Sequence, residues 1–508
     1  MRANSVEGEG LGDGPRRAKR GIPAKADFNE WYPAIVEIAD LVDKRYPIKG
    51  MDVWRPYGWK AMRRIDDLTH AEMERTGHEE VHFPLLIPAE LLAKENRLVA
   101  RLKAAREADT DPSELRTDEG SGGFVSEVYW VRQAGDNELD APMFLRPTSE
   151  TAMYTMFPLW VRSHADLPLK VYQMVNTFRY ETKQTRSFIR VREIHFFEAH
   201  TAHVDEADAT RQIDEDLGIV GRIMHDLCLP VLFSKRPVWD TFPGAWYTIG
   251  IDVVMPNGRT LQVASCHHYR DQWAEAFDLT YEDMEGENRY CHQTTYGMSE
   301  RLLGAVVGIH GDDSGLIFPP SVAPYQVVIV PIASHQDGTV DSTASDVADR
   351  LRENGLRVHI DGRDLRPGSK YYDWEIRGVP LRLDIGPRDV RAGTASAARR
   401  TGGRSELPIE DIVTAVRSEL SEVAAELRRR AAEHHDSSIR SLDDISAVSD
   451  DGIILEVAFD SNDTDAEGLE RSTGMTLLGE AVKPFDEARP CIVTGRPTTR
   501  RQHLAKMY

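Results

Sequence analysis

The first hundred residues alternate between helical and strand-like patterns of apolar positions. A segment that opens at residue 27 and a second one over 56–76 both carry apolar side chains at helical spacing. The second segment begins with proline and is followed by glycine, as helices often are. The apolar run 81–88 comes next with Pro84 inside it, which favours an edge or interface strand over a central one.

Short strand-like runs outnumber helices over the following two hundred residues. Residues 101–123 are charged and contain Gly and Ser, which predicts a surface loop. Because few crossover helices separate the later strand-like runs, they predict an antiparallel sheet. These runs are 128–133, 143–147, 170–181, 188–200, 245–255 and 259–268.

The second half of the chain changes character at 318–326, where three prolines predict a linker. Strand and helix patterns alternate after it, which is typical of a small α/β domain, and an amphipathic helix closes that domain. We therefore predict an α+β multidomain protein. Its parts are a mobile tail at 1–26, an antiparallel-sheet domain at 27–320, an α/β domain with its following helix at 321–436, and a small α+β domain at 437–508.

Composition narrows the class of protein. The chain has 508 residues, 41% hydrophobic and 29% charged, which is the balance of a folded globular protein. No apolar run reaches the roughly 18–20 residues that a membrane span needs. The four cysteines make no disulfide framework, so we expect a cytoplasmic protein. The net charge of −21 argues against nucleic-acid binding by the whole surface but leaves local basic patches open.

A group of paired charges near the middle of the chain suggests anion binding. With a period of two, Arg179 and Glu181 share one face of a strand, and Arg190 lies on a second strand beyond a basic loop. Arginine's planar fork matches phosphate and carboxylate groups, so the hairpin is a candidate receptor for a polyphosphate. Alternatively, these side chains and Glu193 neutralise one another as a structural set of ion pairs.

Two smaller features carry polar groups in apolar surroundings. Arg301 stands on the first turn of a helix whose other positions are small or apolar, where it could bind an anion or simply pair or extend to solvent. Thr148 and Glu150 lie around a turn, which taken alone indicates only a helix cap.

The order of these features resembles the three signature motifs of class II aminoacyl-tRNA synthetases, here near 56–84, 178–200 and 297–320. Within that class, the segments RPTSET, DLPLKVYQ and PGSKYYDWEIRGVPLRLDIGPRDV are similar to prolyl-tRNA synthetases of the archaeal/eukaryotic type. The resemblance covers nearly the whole chain from about residue 27.

The resemblance implies a homodimeric enzyme that joins L-proline to tRNA(Pro) in two ATP-dependent steps through prolyl-adenylate. The segments 56–76 and 79–84 would lie at its two-fold interface. Arg179 and Arg301 would be the catalytic residues, holding the triphosphate, with Mg²⁺ bridging phosphate oxygens.

The remaining site residues also follow from the resemblance. The implied ATP contacts are Arg179, Glu181, Arg190, Gln262, Ser265 and Arg301. The implied proline contacts are Thr148, Glu150, Arg179, Phe196, Glu198, His200, His267 and Ser299. The implied anticodon contacts are Arg363, Lys370, Glu375, Arg377, Arg382 and Arg388, which could equally form a solvated charged face.

A zinc site and a loss of catalytic activity are two further interpretations of the sequence. Cys266 and Cys291, each followed by histidine, do not have the spacing of a zinc site, and Cys491 alone remains where relatives often carry four zinc cysteines. We therefore predict no bound metal ion held by protein ligands. Departures from the family pattern over 264–271 suggest a non-catalytic or specialised paralogue as a second hypothesis, either inhibitor-resistant or biosynthetic.

Overall fold

The computed structural model describes residues 21–108, 127–333, 338–443 and 453–508. The helices are α1 (Phe28–Ile38), α2 (Pro56–Arg75), α3 (Ala89–Ala108), α4 (Glu150–Trp160), α5 (Glu206–Asp226), α6 (Gln272–Phe277), α7 (Arg301–His310), α8 (Gly338–Glu353), α9 (Pro367–Ile376), α10 (Pro387–Ala392), α11 (Ile412–Ser437) and α12 (Asp463–Thr473). None of the helices in these ranges has the length and apolar character that crossing a membrane requires.

The strands of the same ranges are short in most cases. They are β1 (Val42–Asp43), β2 (Val53–Trp54), β3 (Glu79–Glu80), β4 (Leu86–Pro88), β5 (Trp130–Ala134), β6 (Asn137–Leu145), β7 (Leu169–Phe178), β8 (Glu193–His203), β9 (Leu232–Lys235), β10 (Tyr247–Val254), β11 (Arg259–Arg270), β12 (Thr280–Glu282), β13 (Asn288–Tyr290), β14 (His292–Ser299), β15 (Val327–Pro331), β16 (Val358–Ile360), β17 (Leu381–Ile385), β18 (Thr394–Arg399), β19 (Arg404–Pro408), β20 (Ile439–Leu442), β21 (Ile454–Ala458), β22 (Thr476–Ala481), β23 (Arg489–Pro490), β24 (Pro497–Thr498) and β25 (Arg501–Met507).

A large sheet forms the centre of the molecule. Among the described residues it has eleven strands, in the order β20-β21-β25-β22-β9-β10-β11-β14-β8-β7-β3. The strands from β9 to β7 pair antiparallel, as predicted. Helices α5 and α7 pack on this sheet, and α2 contacts both of them. The buried face of α2 carries Ala61, Met62 and Ile65, which confirms the helix predicted at 56–76.

The C-terminal strands extend this same sheet. Strand β22 pairs with β9 through Glu480 and Lys235, and β25 runs parallel to the start of β11. The strands of the predicted small C-terminal domain therefore belong to the large sheet, because they form backbone hydrogen bonds with its strands. The predicted domain boundaries themselves stay predictions.

A second sheet, in the order β16-β15-β17-β18-β19, forms the α/β part of the chain. Its first three strands are parallel, and β18 and β19 continue it antiparallel. Val327, Ile329 and Leu383 belong to its own hydrophobic core. Arg400 forms an ion pair with Asp312, so a charge contact also joins this part to the residues after α7.

Packed structure begins nearer the N-terminus than the predicted boundary at residue 27. Residues 1–20 of the predicted tail lie outside the described residues. Ile22, however, is only 2% exposed, and the Lys25 ammonium donates to the carbonyl oxygen of Ile309 at 2.9 Å. Burial lowers the pKa of Lys25 to about 8. The tail prediction was therefore wrong for residues 22–26.

Two other local predictions also need correction. Residues 101–108 of the predicted loop continue helix α3, and 109–123 lie outside the described residues. The predicted strand over 81–88 is reduced to β4, which pairs with β6 in a separate sheet, while β3 alone occupies the edge of the large sheet. Pro84 lies between the two short strands, where it interrupts the hydrogen-bonding pattern.

Candidate active site

A cavity of about 410 Å³ opens over the middle of the large sheet. Side chains from β8, β10, β11, β14, the start of α7 and the β7–β8 connection line it. It gathers every residue predicted for ATP and proline except Glu198 and His200. The predicted residues that line it are Thr148, Glu150, Arg179, Glu181, Arg190, Phe196, Gln262, Ser265, His267, Ser299 and Arg301.

The arginines predicted on two strands lie instead in the connection between those strands. Strand β7 ends at Phe178 and β8 begins at Glu193. The pairing stops because backbone groups bond elsewhere: Tyr180 N–H donates to the Glu127 carbonyl oxygen at 2.7 Å, and Arg192 N–H donates to that of Gly50 at 2.8 Å. Arg179 N–H still donates to the Arg192 carbonyl oxygen at 3.0 Å, and the connection leaves the ladder beyond this pair.

Arg179 and Arg301 converge on this cavity although they are far apart in sequence. Arg179 Nε donates to the Pro147 carbonyl oxygen at 3.1 Å. Arg301 donates through Nε to the Ile189 carbonyl oxygen at 2.9 Å and through Nη1 to that of Gln262 at 3.1 Å. Burial, with the nearby positive charge of Arg179, lowers the pKa of Arg301 to about 10. Both groups stay cationic at neutral pH, so an anion between them relieves their repulsion.

The alternative of mutual neutralisation holds for one pair. Arg190 Nη1 lies 2.9 Å from Glu181 Oε2, and both side chains are about one-fifth exposed. Glu193 instead accepts a hydrogen bond from the Asn176 amide at 2.7 Å. The connection therefore combines an ion pair at its rim with Arg179 deeper inside.

The carboxylate of Glu150 lines the same cavity as the arginines. Glu150 opens helix α4 and accepts hydrogen bonds from Thr148 and from the Tyr269 hydroxyl, the latter at 3.0 Å. A helix N-terminus stabilises a negative charge at that position. Glu150 is thus suited to a cationic group of a ligand, while the arginines are suited to its anionic groups.

Glu198 and His200 lie behind the wall of the cavity and do not line it. Glu198 is fully buried and accepts hydrogen bonds from Ser149 N–H at 3.1 Å and from the Gln173 amide at 3.0 Å. His200 Nε2 lies 3.1 Å from Glu198. Burial alone would raise the pKa of Glu198, but the hydrogen bonds from these neighbours hold it below its ordinary value. Glu198 supports the turn that carries Thr148 and Ser149, and the contact of Glu198 and His200 with a ligand stays a prediction.

His267 forms part of the wall in a neutral state. Its Nδ1 lies 2.9 Å from the Thr248 hydroxyl, its Nε2 lies 3.0 Å from the Ser265 hydroxyl, and the Phe242 ring is 4.5 Å away. Burial, together with electrostatic interactions with His200 and Arg179, lowers its pKa to about 3. A neutral imidazole beside an aromatic ring suits an apolar ring.

Several lining residues were not identified from the sequence. They are Glu127, Asp240, Phe242, Thr248, Thr295 and Glu300. Glu300 is 3% exposed, its Oε2 has no hydrogen-bond partner among the described residues, and burial raises its pKa to about 8. Of these residues, only Glu300 could have been identified from the sequence, because it adjoins Arg301. The others come from loops and strands whose proximity depends on the sheet order.

The cysteines of the described chain are poor candidates for a zinc site. Cys266 and Cys291 are buried, and burial raises the pKa of both thiols, to about 12 for Cys291. A protonated thiol is a weak metal ligand. Glu150, Glu198 and His200 have ligand atoms within 4.8 Å of one another, but this group belongs to the network beneath the cavity.

The candidate anticodon residues divide into paired and exposed groups. Arg363 forms ion pairs with Asp361 at 2.7 Å and Asp373 at 2.8 Å. Lys370 is only 6% exposed and donates to the Asp361 carbonyl oxygen at 2.9 Å. Buried and bonded in this way, Lys370 stabilises the domain and cannot reach RNA without rearrangement, contrary to the prediction.

The other four candidates lie on different surfaces. Arg377 pairs with Asp40 at 2.9 Å, which is a contact between domains, whereas the Glu375 carbonyl oxygen accepts from Arg400 of its own domain at 3.0 Å. Arg382 pairs with Asp384 and lies 3.6 Å from the centre of the Tyr371 ring. Arg388 is exposed near the start of α10.

Known proteins match both main parts of the chain. The family described as the tRNA synthetase class II core domain (G, H, P, S and T) matches residues 129–310, and the anticodon-binding domain family matches 326–419. The chain is 48% identical over 493 residues to a proline–tRNA ligase of Thermococcus kodakarensis, covering 95% of this chain and 98% of that protein. Identity to the corresponding ligase of Pyrococcus abyssi is 45%, with the same coverage.

Solved structures agree with these relatives. The Giardia lamblia prolyl-tRNA synthetase in complex with prolyl-adenylate superposes with a TM-score of 0.87 at 33% identity, covering 96% of this chain and 99% of that one. The Cryptosporidium parvum enzyme, complexed with halofuginone and AMPPNP, gives 0.86 at 28% identity, with the same coverage. With nearly half its residues identical to full-length relatives, the chain belongs to the prolyl-tRNA synthetase family of class II aminoacyl-tRNA synthetases.

Proposed function

We propose that this protein is an ATP-dependent proline–tRNA ligase that works through prolyl-adenylate. The observation that carries the proposal is the convergence of Arg179 and Arg301 on one cavity that the Glu150 carboxylate also lines. The identity to archaeal proline–tRNA ligases supports the same substrates, L-proline and tRNA(Pro).

The first step needs positioning and charge stabilisation more than a protein base. Proline's carboxylate is already ionised at neutral pH, and it attacks the α-phosphorus of ATP as pyrophosphate leaves. Arg179 would hold the carboxylate and α-phosphate together, and Arg301 would bind the γ-phosphate. Because their guanidinium groups are anchored to backbone carbonyl oxygens, little reorganisation is required as charge develops.

Magnesium fits the carboxylates that line the cavity with the arginines. Glu181 and Glu300 line the cavity, and Glu300 Oε2 has no hydrogen-bond partner among the described residues. Mg²⁺ prefers carboxylate and phosphate oxygens, and when bound it would neutralise charge on the leaving pyrophosphate. Contrary to the prediction that no protein group binds a metal ion, both carboxylates would hold it beside the phosphates, Glu300 after releasing the proton that burial favours.

Amino-acid selection would take place around Glu150. Thr148 and Glu150 would accept the hydrogens of proline's secondary ammonium, and Phe196 and His267 would pack against its ring. In the second step, the terminal 3′-hydroxyl of tRNA(Pro) attacks the acyl carbon and AMP leaves. Arg388, which is exposed, is the candidate we retain for direct contact with the anticodon.

A homodimer is part of the proposal. Exposed apolar side chains occur close to the predicted interface: Leu86 and Trp130 are each 39% exposed in the two strands that flank β6, and Leu159 is 60% exposed at the end of α4. Exposed apolar groups of this kind mark protein interfaces. Sedimentation at micromolar concentration should give twice the chain mass. The four free buried thiols support a location in the reducing cytoplasm.

ATP–pyrophosphate exchange tests the catalytic proposal. Purified protein should exchange labelled pyrophosphate into ATP when L-proline is present, and much less with L-alanine or L-cysteine. Folded protein that shows no proline-dependent exchange would contradict the proposal. The departures over 264–271 do not favour a non-catalytic protein, because Tyr269 supports Glu150 and Arg270 lies over the Trp246 ring.

A further inference from the structure

Arg236 is a fully buried cation that the reaction does not use directly. It follows strand β9, and its side chain is 1% exposed. Its Nη2 donates to Asp252 Oδ2 at 2.7 Å, and its Nη1 donates to the carbonyl oxygen of Leu478, in the C-terminal strand β22, at 2.8 Å. Its Nε lies 3.6 Å from Asp240 Oδ2. A buried guanidinium with partners on three segments fixes them relative to one another.

The backbone around Arg236 is shaped to admit it. At Gly250 of β10, a Cβ atom would lie 2.2 Å from the Arg236 guanidinium nitrogens. At Gly479, which has φ +115°, a Cβ atom would lie 2.0 Å from the Lys235 carbonyl oxygen. Both positions therefore require glycine: one lets the arginine cross the strand, and the other lets β22 dock beside β9.

Two of the Arg236 partners lead to the active site. Asp240 lines the cavity at the end of a short turn, and Phe242 follows it, with its N–H donating to Thr248 Oγ1 at 2.9 Å. Asp252 is paired in the sheet with Gln262, whose carbonyl oxygen accepts from Arg301 at 3.1 Å. The C-terminal strand thus connects through one side chain to a wall of the cavity.

We propose that Arg236 is a positioning residue through which the C-terminal strands hold the 238–242 wall of the proline pocket. The proposal rests on the proposed ligase function. Arg236 contacts no substrate, so its effect reaches the reaction through Asp240 and the adjacent Phe242. The Phe242 ring of this wall lies 4.5 Å from the His267 ring, so loosening the wall should weaken proline binding. The link through Asp252 and Gln262 reaches Arg301 only through backbone groups, so we expect a smaller effect on ATP binding.

The test compares Arg236→Met and Arg236→Lys in proline-dependent pyrophosphate exchange. We expect Arg236→Met to raise the KM for proline about tenfold and the KM for ATP less than about twofold. Lysine keeps the charge but cannot satisfy all three partners, so its KM for proline should be intermediate. A lower melting temperature with both KM values unchanged would overturn the proposal. Absence of exchange in the wild type would instead contradict the ligase function itself.

Gly250→Ala displaces the guanidinium without removing it, and Gly221→Ala is its control because no atom lies within 4 Å of a Cβ there. Gly250→Ala should raise the KM for proline, and Gly221→Ala should not. If Arg236→Met does not fold, Asp240→Asn combined with Arg236→Lys gives the same answer. The double variant should match the worse single variant, because both act through one contact; independent, multiplying effects would overturn the proposal.

Discussion

Arginines in the active-site cavity and arginines in the anticodon-binding domain are equally prominent in the sequence, yet their surroundings differ. Arg179 and Arg301 are anchored to backbone carbonyl oxygens and meet at one cavity, with the charge of one lowering the pKa of the other. Arg363 and Arg382 instead pair with carboxylates of their own domain.

The difference separates cations that face a shared cavity from cations that pair closely with aspartates of their own domain. Arg179 and Arg301 repel each other, nearby carboxylates offset part of this cost, and an anion bound between them would relieve the rest. An arginine with one or two aspartate partners needs no ligand. The comparison therefore predicts large catalytic effects from the first group and smaller effects from the second.

Removing either cavity arginine should give the largest effect. Arg179→Ala and Arg301→Ala should each lower the rate of proline-dependent exchange by about a hundred- to a thousandfold, since each stabilises charge in the transition state. Arg500→Ala, which removes a half-exposed ion pair in the C-terminal strands, is the matched control and should keep nearly full activity. Equal activity of all three variants would contradict the proposed difference between cavity arginines and arginines in ordinary ion pairs.

The network behind the cavity should have the next largest effect. Glu198→Gln removes the charge that His200 faces and weakens the bonds to Ser149 and Gln173. We expect the KM for proline to rise about tenfold or more and the free energy of unfolding to fall by roughly 2–4 kcal/mol. Steady-state exchange and urea unfolding measure both. Glu433→Gln, on an exposed face of α11, serves as the control.

The anticodon domain should respond more weakly and only when tRNA is present. Arg388→Ala should raise the KM for tRNA about tenfold in aminoacylation and leave exchange without tRNA unchanged. Lys370→Met should mainly lower stability, because its ammonium is buried against the Asp361 carbonyl oxygen. If Lys370→Met proved to be the variant with the selective tRNA defect, the assignment based on exposure would be wrong.

The smallest predicted effect is a pH dependence of stability. The folded-state pKa of Glu300 is about 8, above its ordinary value of 4.5, because of burial. The folded protein thus holds a proton that the unfolded chain releases, and the stabilisation from protonated Glu300 is lost as pH rises from about 4.5 to 8. Glu300→Gln should remove roughly 1–3 kcal/mol of this decline, measured by urea unfolding at pH 6 and pH 8.5. An unchanged pH profile would contradict the buried, protonated state.

The spacing of apolar residues predicted many of the helices and strands, and the strands that it placed wrongly differ for physical reasons. Helix α2 and the antiparallel pairing of β7 with β8 and of β10 with β11 follow from periodicity and from the scarcity of crossover helices. The family resemblance supplied eleven of the residues that line the cavity. The strand assignment of Arg179 and Arg190 was wrong because hydrogen bonds to Glu127 and Gly50, distant in sequence, end the ladder early.

Long-range docking accounts for the other differences. Ile22 is buried, and nearby Lys25 donates to the carbonyl oxygen of Ile309, a contact across 284 positions that no local pattern reveals. The joining of β22 to β9 requires the close approach of Gly479 to the Lys235 carbonyl oxygen, which periodicity does not reveal either.

A double-variant measurement of pyrophosphate exchange tests most directly whether the two guanidinium groups act on a single triphosphate. The rates of wild type, Arg179→Ala, Arg301→Ala and the double variant would be compared at saturating L-proline and ATP. If both side chains hold one ATP as a unit, the double variant should be only slightly slower than the worse single variant. Losses that multiply fully would show that the two arginines act independently, which contradicts the account.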